Sequence, residues 1–433
     1  MHASRFFSRL NLSITRITFH LLTLWLTSTA VQAQPGSTAP ALTPVEIDLS
    51  KPNGLALFDD AFYQNQLFLL GESHGVQKPQ ELDFALLKHL NERVGVRYYI
   101  AEVDPSKAYF MNQYLQTGND STLMKVFRSW VNSKEQWANR DFYRKIGRIR
   151  ALNQTLPAER RIRFVGIDRI QDRKLVAEHL TELLAGRRLS PAARPLADTL
   201  LNRLQTRQPD SLRAEAATAW LNDLNANPNA YRQFPADRLS ELKHVLTNVV
   251  YLKTLKREPT IFTNFKTFVE TTDLKNEKLY GFWGFYHVLQ APTANRSKPF
   301  AALVRESNLP MRDKIASITC LYIDCQMMLA SAYLPPMWQT PGKTFSRVDQ
   351  FNNNGPMMRT EGIEQLMALS RPNTLTLFKM IGTEAGQRPG RISYSPFMPK
   401  EQQFNFEENR PMTDYFGYTI LVRNSDMTEP LVP

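Results

Sequence analysis

Acidic and imidazole side chains recur just beyond short apolar runs of this chain. Gln66-Leu-Phe-Leu-Leu-Gly71 leads into Glu72 and His74, and Arg97-Tyr-Tyr-Ile-Ala101 leads into Glu102 and Asp104. Arg163-Phe-Val-Gly-Ile167 leads into Asp168 and Arg169, and Trp283-Gly-Phe-Tyr286 leads into His287. A histidine titrates near pH ~6.5, so it can accept a proton at neutrality, and a neighbouring carboxylate fixes its tautomer and stabilises the imidazolium. A second histidine or an arginine would meet charge developing on a carbonyl or phosphoryl oxygen. Such a set suits activation of water. General acid–base help contributes roughly 10²–10⁴-fold, so positioning and oxyanion stabilisation must supply the rest. Singly, each residue has a plainer meaning. His287, between Tyr286 and Val288, fits a packed core position, and Glu102 could support the start of a following helix. Their repetition at the same end of successive apolar runs is what points to a site.

The elements that must position them alternate in type. The run into Gly71 suits a buried strand. A helix is expected from Pro79, because proline is tolerated in a first turn, with Leu82, Leu86 and Leu90 as its buried face. A strand over 97–102, two helix-like stretches and a strand over 163–168 follow. This rhythm predicts an α/β fold, a mostly parallel or mixed central sheet flanked by helices. In such a sheet, ligands bind beyond the carboxyl ends of the strands. From about 174 to 270 the pattern becomes Leu-rich, charged and amphipathic, punctuated by Pro191, Pro195, Pro209 and Pro228, and predicts a helical insertion capping the sheet. Strands resume at 278–283, 315–324, 374–379 and 416–423. The stretches 334–359 and 387–403 are expected as loops, the first carrying Trp338, Phe345 and Phe351 as candidate walls of an apolar pocket. One domain over 45–433 is expected.

Gly71-Glu72-Ser73-His74-Gly75 also matches G-x-S-x-G, the nucleophile elbow of α/β-hydrolases, and Asp168 and His287 follow Ser73 in the required order. Against a serine nucleophile, the pattern sits on the first convincing strand, and Val-Gln-Lys intervenes before Pro79.

The first 33 residues read as an export signal. Arg5, Arg9 and Arg16 open it, an apolar run from Ile17 to Val31 follows, and Val31-Gln-Ala33 supplies small residues for cleavage. A Pro-rich leader over 34–44 is expected to be poorly ordered. No later stretch reaches the ~18 apolar residues of a spanning helix, and no cysteine follows the cleavage site to carry a lipid. The protein is therefore expected outside the cytoplasm, periplasmic or secreted, with no membrane span after cleavage. The formal charge is +12, three of whose arginines lie in the signal, and the excess is spread along the chain. Without a basic arm, a nucleic-acid partner is not expected; a small-molecule substrate is, and the oligomeric state stays open. Cys320 and Cys325 would lie about 16 Å apart on a regular strand, at ~3.3 Å per residue. A disulfide needs Cα atoms within about 7 Å, so two buried thiols are expected.

These stretches together resemble the erythromycin esterase-like family, which is similar in fold to ChaN-like haem-binding lipoproteins. The resemblance rests on the strand running into Gly71-Glu72-Ser73-His74-Gly75, on Ile100-Ala-Glu102, and on Val165-Gly-Ile-Asp168. It continues at Arg257-Glu258 with Asn264, at Tyr280-Gly-Phe-Trp-Gly-Phe-Tyr-His-Val288, and at Asp414-Tyr-Phe-Gly-Tyr-Thr-Ile-Leu-Val-Arg423. It implies a hydrolase that activates water with His74 as general base. Glu72 and Glu102 would orient it or hold substrate, and His287 would be a second acid–base or electrophilic group. Arg257 would polarise or brace, with Asp168 as a supporting acid. Only Ser73 separates Glu72 from His74, where the esterases place two residues. That shorter form is closer to the haem-binding relatives. No cofactor is expected for the hydrolase; a divalent metal on Glu72, His74, Glu102 and His287, or bound haem, is the alternative.

Overall fold

The structure, a computed structural model, describes residues 41–51, 54–274, 277–398 and 400–431. The expected export signal and most of the Pro-rich leader lie outside the described residues. Pro44, the last residue of that leader, already opens strand β1 (Pro44–Ile47), and Leu42 is buried just ahead of it. The leader's end is ordered because β1 finds backbone partners in Leu375–Lys379.

A one-turn helix α1 (Asp60–Tyr63) precedes β2 (Leu67–Glu72). Every residue of β2 is buried, as a strand covered on both faces requires. Helix α2 (Gln77–Val94) starts two residues earlier than expected. It buries Leu82, Leu86 and Leu90 and ends on Gly95 in the left-handed conformation. After β3 (Tyr98–Ala101) come α3 (Pro105–Thr117), α4 (Asp120–Ser133) and α5 (Arg140–Thr155), three helices where two were expected. The additional break is at left-handed Gly118, after which the Asn119 side chain caps the next helix on Ser121 N–H. Strand β4 (Arg163–Gly166) follows.

Helices α6 (Arg173–Leu184), α7 (Ala193–Gln205), α8 (Asp210–Ala226), α9 (Ala236–Thr254) and α10 (Arg257–Thr271) then run without an intervening strand. The first four enclose a hydrophobic cluster of their own, built on Trp220, Tyr231, Leu242 and Leu246. The fifth belongs with the sheet instead. Its Ile261 and Phe265 pack with Leu69, Ile100 and Leu279.

The chain continues through β5 (Leu279–Gly284), α11 (Phe300–Glu306), β6 (Ile315–Ile323), β7 (Met327–Ala330) and β8 (Phe345–Val348). It closes with β9 (Met358–Thr360), α12 (Ile363–Ala368), β10 (Leu375–Lys379), β11 (Ile392–Tyr394) and β12 (Tyr418–Arg423). The segments 334–359 and 387–403 are thus not pure loops: β8 pairs with β7, and β9 with β11. Phe345 is in β8 and buried in the main core, so it walls no open pocket.

The central sheet has eight strands in the order β1-β10-β12-β6-β2-β5-β3-β4. β12, β6, β2, β5, β3 and β4 run parallel, while β10 is antiparallel to both its neighbours. The fold is α/β with a mixed, mostly parallel sheet. Parallel pairing sends the carboxyl ends of β2, β3, β4 and β5 to one edge. Cys320 and Cys325 are free, buried thiols. Among the described residues no helix is long and apolar enough to cross a membrane.

Candidate active site at the carboxyl edge of the sheet

Glu72 ends β2 and His74 stands two residues on, so in extended chain both side chains leave the same face. His74 Nδ1 lies 2.9 Å from Glu72 Oε1 in a hydrogen bond. The backbone around His74 is held from three sides. Gln136 Nε2 donates to His74 O at 2.9 Å, and the carbonyl of Gly75 accepts from Met328 N and Thr428 N. Gly75 takes φ +93° there, and a Cβ would come within 2.4 Å of Met328 O, so only glycine makes this turn. The ring of Trp137, from the loop before α5, covers the imidazole with centroids 4.3 Å apart.

Glu102 follows β3 and joins the other groups. Its Oε2 accepts from Gly284 N at 2.7 Å, and its Oε1 accepts from Arg257 Nη2 at 2.7 Å. The same Oε1 lies 3.5 Å from His287 Nε2 and 4.0 Å from His74 Nε2. Asp168, beyond β4, takes Arg257 in a two-point grip, Nε at 3.0 Å and Nη2 at 2.8 Å. Arg257 is the first residue of α10, where a cation opposes the helix dipole, and no side chain caps that helix. Two carboxylates compensate for this local conflict. His287 sits in the turn after β5, its Nδ1 2.9 Å from Glu258 Oε1. That nitrogen makes no hydrogen bond among the described residues. Gly284 lies between the two imidazoles: a Cβ on it would stand 3.2 Å from His74 Nε2 and 3.6 Å from His287 Cδ2.

Four carboxylates (Glu72, Glu102, Asp168, Glu258) surround one guanidinium and two imidazoles, and the charge states follow. Burial alone would raise the Glu102 pKa, but His287, His74 and Arg257 together bring it down to about 2, so it stays ionised. Burial alone would lower His74, but the Glu72 hydrogen bond and the charge on Glu102 outweigh it and raise the imidazole pKa above 6.5. Glu72 is raised by burial, against the pull of His74. A cavity of about 20 Å³ adjoins this group, lined by Glu72, His74, Glu102, Trp137 and Lys145 among others. That is room for about one water, since ~10–15 Å³ holds one.

All six expected residues, Glu72, His74, Glu102, Asp168, Arg257 and His287, come together here. Asp104 and Arg169 do not. Asp104 caps α3 by accepting from Ser106 and Lys107 N–H, and the Arg169 guanidinium donates to Leu252 O. Helix α2 begins at Gln77, so the strand–turn–helix context of an elbow is present after all. Ser73 itself shows no elbow chemistry. Its N–H donates to the Tyr322 hydroxyl at 2.9 Å, no hydrogen bond among the described residues joins its Oγ to a histidine, and its backbone is not left-handed. Among the described residues no group of three or more His, Cys, Asp or Glu is arranged to hold a metal ion. Two lining residues escaped the sequence. Trp137 lies between helices, where no periodicity marks it. Lys145 had a signal: it falls on the stripe Phe142, Ile146, Ile149 that α5 buries.

No protein-family model matches this chain, and no curated protein matches it by sequence. Solved structures do. A protein from Bacillus cereus superposes with TM-score 0.62 at 14% identity, covering 90% of this chain and 96% of that one. A histidine-to-asparagine mutant of the erythromycin esterase EreC, in its open conformation, gives TM-score 0.61 at 12% identity, covering 90% and 100%. A succinoglycan biosynthesis protein gives 0.58 at 14%, covering 90% and 95%. The chain is thus similar in fold, over nine-tenths of its length, to a set of α/β proteins that includes an erythromycin esterase.

Proposed function

We propose that this chain is an exported hydrolase that cleaves an ester, lactone or related bond of a small molecule by activating water on His74. One observation carries the proposal: Glu72 holds His74 Nδ1, and His74 Nε2 is left facing Glu102, with Arg257 and His287 on the same carboxylate. The EreC neighbour, named an esterase, agrees with the reaction class. The export signal read from the sequence gives the compartment, periplasmic or secreted.

His74 Nε2 takes a proton from water as the water oxygen bonds to the acyl carbon. Glu72, accepting at Nδ1, stabilises the imidazolium that forms. Arg257 Nη1 has no partner among the described residues and meets the oxyanion, while Asp168 and Glu102 hold the rest of the guanidinium still. When the tetrahedral carbon collapses, the acyl C–O bond breaks and the alkoxide leaves with a proton from His74 or His287. Acid and alcohol are the products. Glu102 stays ionised throughout and fixes the spacing of Arg257, His74 and His287 around it.

Turnover of an ester and lactone panel by the wild type and His74→Ala tests this. The variant should lose about 10²–10⁴-fold, the usual worth of a general base. Equal turnover by both would remove the site from the reaction.

A further inference from the structure

Behind the Glu72–His74 pair lies a second polar group that the proposed reaction leaves unused. Lys145 of α5 is 2% exposed. Its Nζ donates to Asp83 Oδ2 and, at 2.7 Å, to Gln80 Oε1. Asp83 of α2 also accepts from the hydroxyls of Tyr99 and Tyr280, each at 2.7 Å. The ammonium stands 4.5 Å from the ring centroids of both Phe142 and Phe282. A buried ion pair is a weak stabiliser, because desolvation offsets most of the attraction, so its purpose is to be sought in what the charge faces.

An ammonium has three N–H donors, and two are used. Lys145 lines the cavity of about 20 Å³ that adjoins His74, and Glu72 lines it too. Glu72 Oε2 is fully buried and has no hydrogen-bond partner among the described residues. The remaining walls are mostly apolar: Ala101, Val103, Phe142, Phe164 and Phe282. A single-water space bounded by one spare donor and one orphaned acceptor satisfies the two-partner minimum for a buried water.

We propose that this cavity is a built site for one water, which accepts from Lys145 Nζ and donates to Glu72 Oε2, and that Lys145 is thereby a positioning residue for the base. The inference rests on His74 being that base. A buried carboxylate with a single hydrogen bond tends to take up a proton, and a neutral Glu72 would no longer stabilise the His74 imidazolium. The groups facing Glu72 are His74 at its own strand end, Glu102 and Tyr99 from β3, Cys320 and Tyr322 from β6, and Lys145 from α5. Burial keeps the thiol and both phenols neutral, so Lys145 and His74 are the basic groups among them. The charges acting on His74 directly are those of Glu72, Glu102 and Arg257. Loss of Lys145 therefore reaches the imidazole through Glu72.

The test is the NMR titration of the His74 Cε1–H resonance, assigned by its disappearance in His74→Ala. Asp83→Asn/Lys145→Met removes both charges together, so neither is left buried alone. The His74 midpoint should fall by about one pH unit, a tenfold loss of proton affinity. If the double variant does not fold, Asp83→Asn/Lys145→Gln removes the same two charges while keeping polar side chains beside Gln80, and should lower the midpoint likewise. An unmoved midpoint in either folded variant overturns the proposal. No substrate enters this measurement, so a failure of the hydrolase reading, seen as undiminished turnover by His74→Ala, is a separate result.

Discussion

At the carboxyl edge of the sheet, a part-exposed His74 and a buried His287 share Glu102. Where α6 and α9 meet α3, Ser106 and His179 are buried beside a part-exposed His244 and Glu241. The second group has the residue types of a serine–histidine–acid triad: His179 Nδ1 is 3.1 Å from Ser106 Oγ in a hydrogen bond, while Nε2, 3.3 Å from Glu241 Oε1, makes none. It has no access. Ser106 and His179 are buried, Tyr109 stacks on the imidazole at 4.0 Å, and Phe110 meets its edge. The charge balance differs as well. An acid surplus raises His74, whereas burial outweighs Glu241 and lowers His244 to about 4. Both groups set an imidazole beside a carboxylate; a surplus of carboxylates belongs to the edge group alone. Ser106 and His179 join α3 to α6 in the packed interior, whereas His74 and Arg257 of the edge group are part-exposed.

The largest expected effect is on the shared carboxylate. Glu102→Gln should reduce kcat/KM per folded molecule by about 10³-fold, as loss of a preorganised charge does, and lower the melting temperature, because Arg257 loses one of its two carboxylate partners. A variant within tenfold of wild type would break the contrast on the catalytic side. Next, His179→Ala should lower stability by about 2–4 kcal/mol in urea titration, the range for opening a cavity in a packed core. Turnover per folded molecule should stay the same. A folded His179→Ala without turnover would mean that the sealed group takes part in the chemistry.

The two regions should also respond to pH with opposite sign. His74 is raised in the fold, so its stabilising contribution is complete below the ordinary value of 6.5 and is lost as pH rises through the folded value. Only above that folded value is the base form abundant, so hydrolysis should climb with pH beyond 6.5. His244 is lowered to about 4, so the unfolded chain binds its proton first and stability is lost as pH falls from 6.5 toward 4. Amide-exchange protection in α9 should drop across that window, and His244→Phe should flatten the drop; equal slopes in both would merge the two regions. The smallest effect is reserved for Ser73→Ala, less than about twofold in turnover, because no base touches its hydroxyl. A loss beyond about 10²-fold would restore the serine elbow.

Much of the site was legible because its residues stand at the ends of apolar runs. Glu72, His74, Glu102, Asp168 and His287 follow β2, β3, β4 and β5, and parallel pairing brings those ends together. The start of α2, the split of α3 from α4 and the short strands β8, β9 and β11 were not legible. Each depends on a backbone partner or a left-handed residue rather than on a side-chain period. Lys145 was visible in principle as a charge on the apolar stripe of α5, though nothing in that period names Asp83 as its partner.

The order of residue types along the chain determined, unaided, which segments are buried strands, which helices have one apolar face, and which acids and imidazoles end up near strand termini. Hydrophobic period is a local property, and it suffices for that much. Distances were decided only by the fold. Arg257 reaches Asp168 across 89 positions of sequence and Glu102 across 155, and the sealing of His179 against the openness of His74 depends on which helices pack over each. Strand order, register and helix packing are cooperative, long-range pairings, and no local pattern carries them.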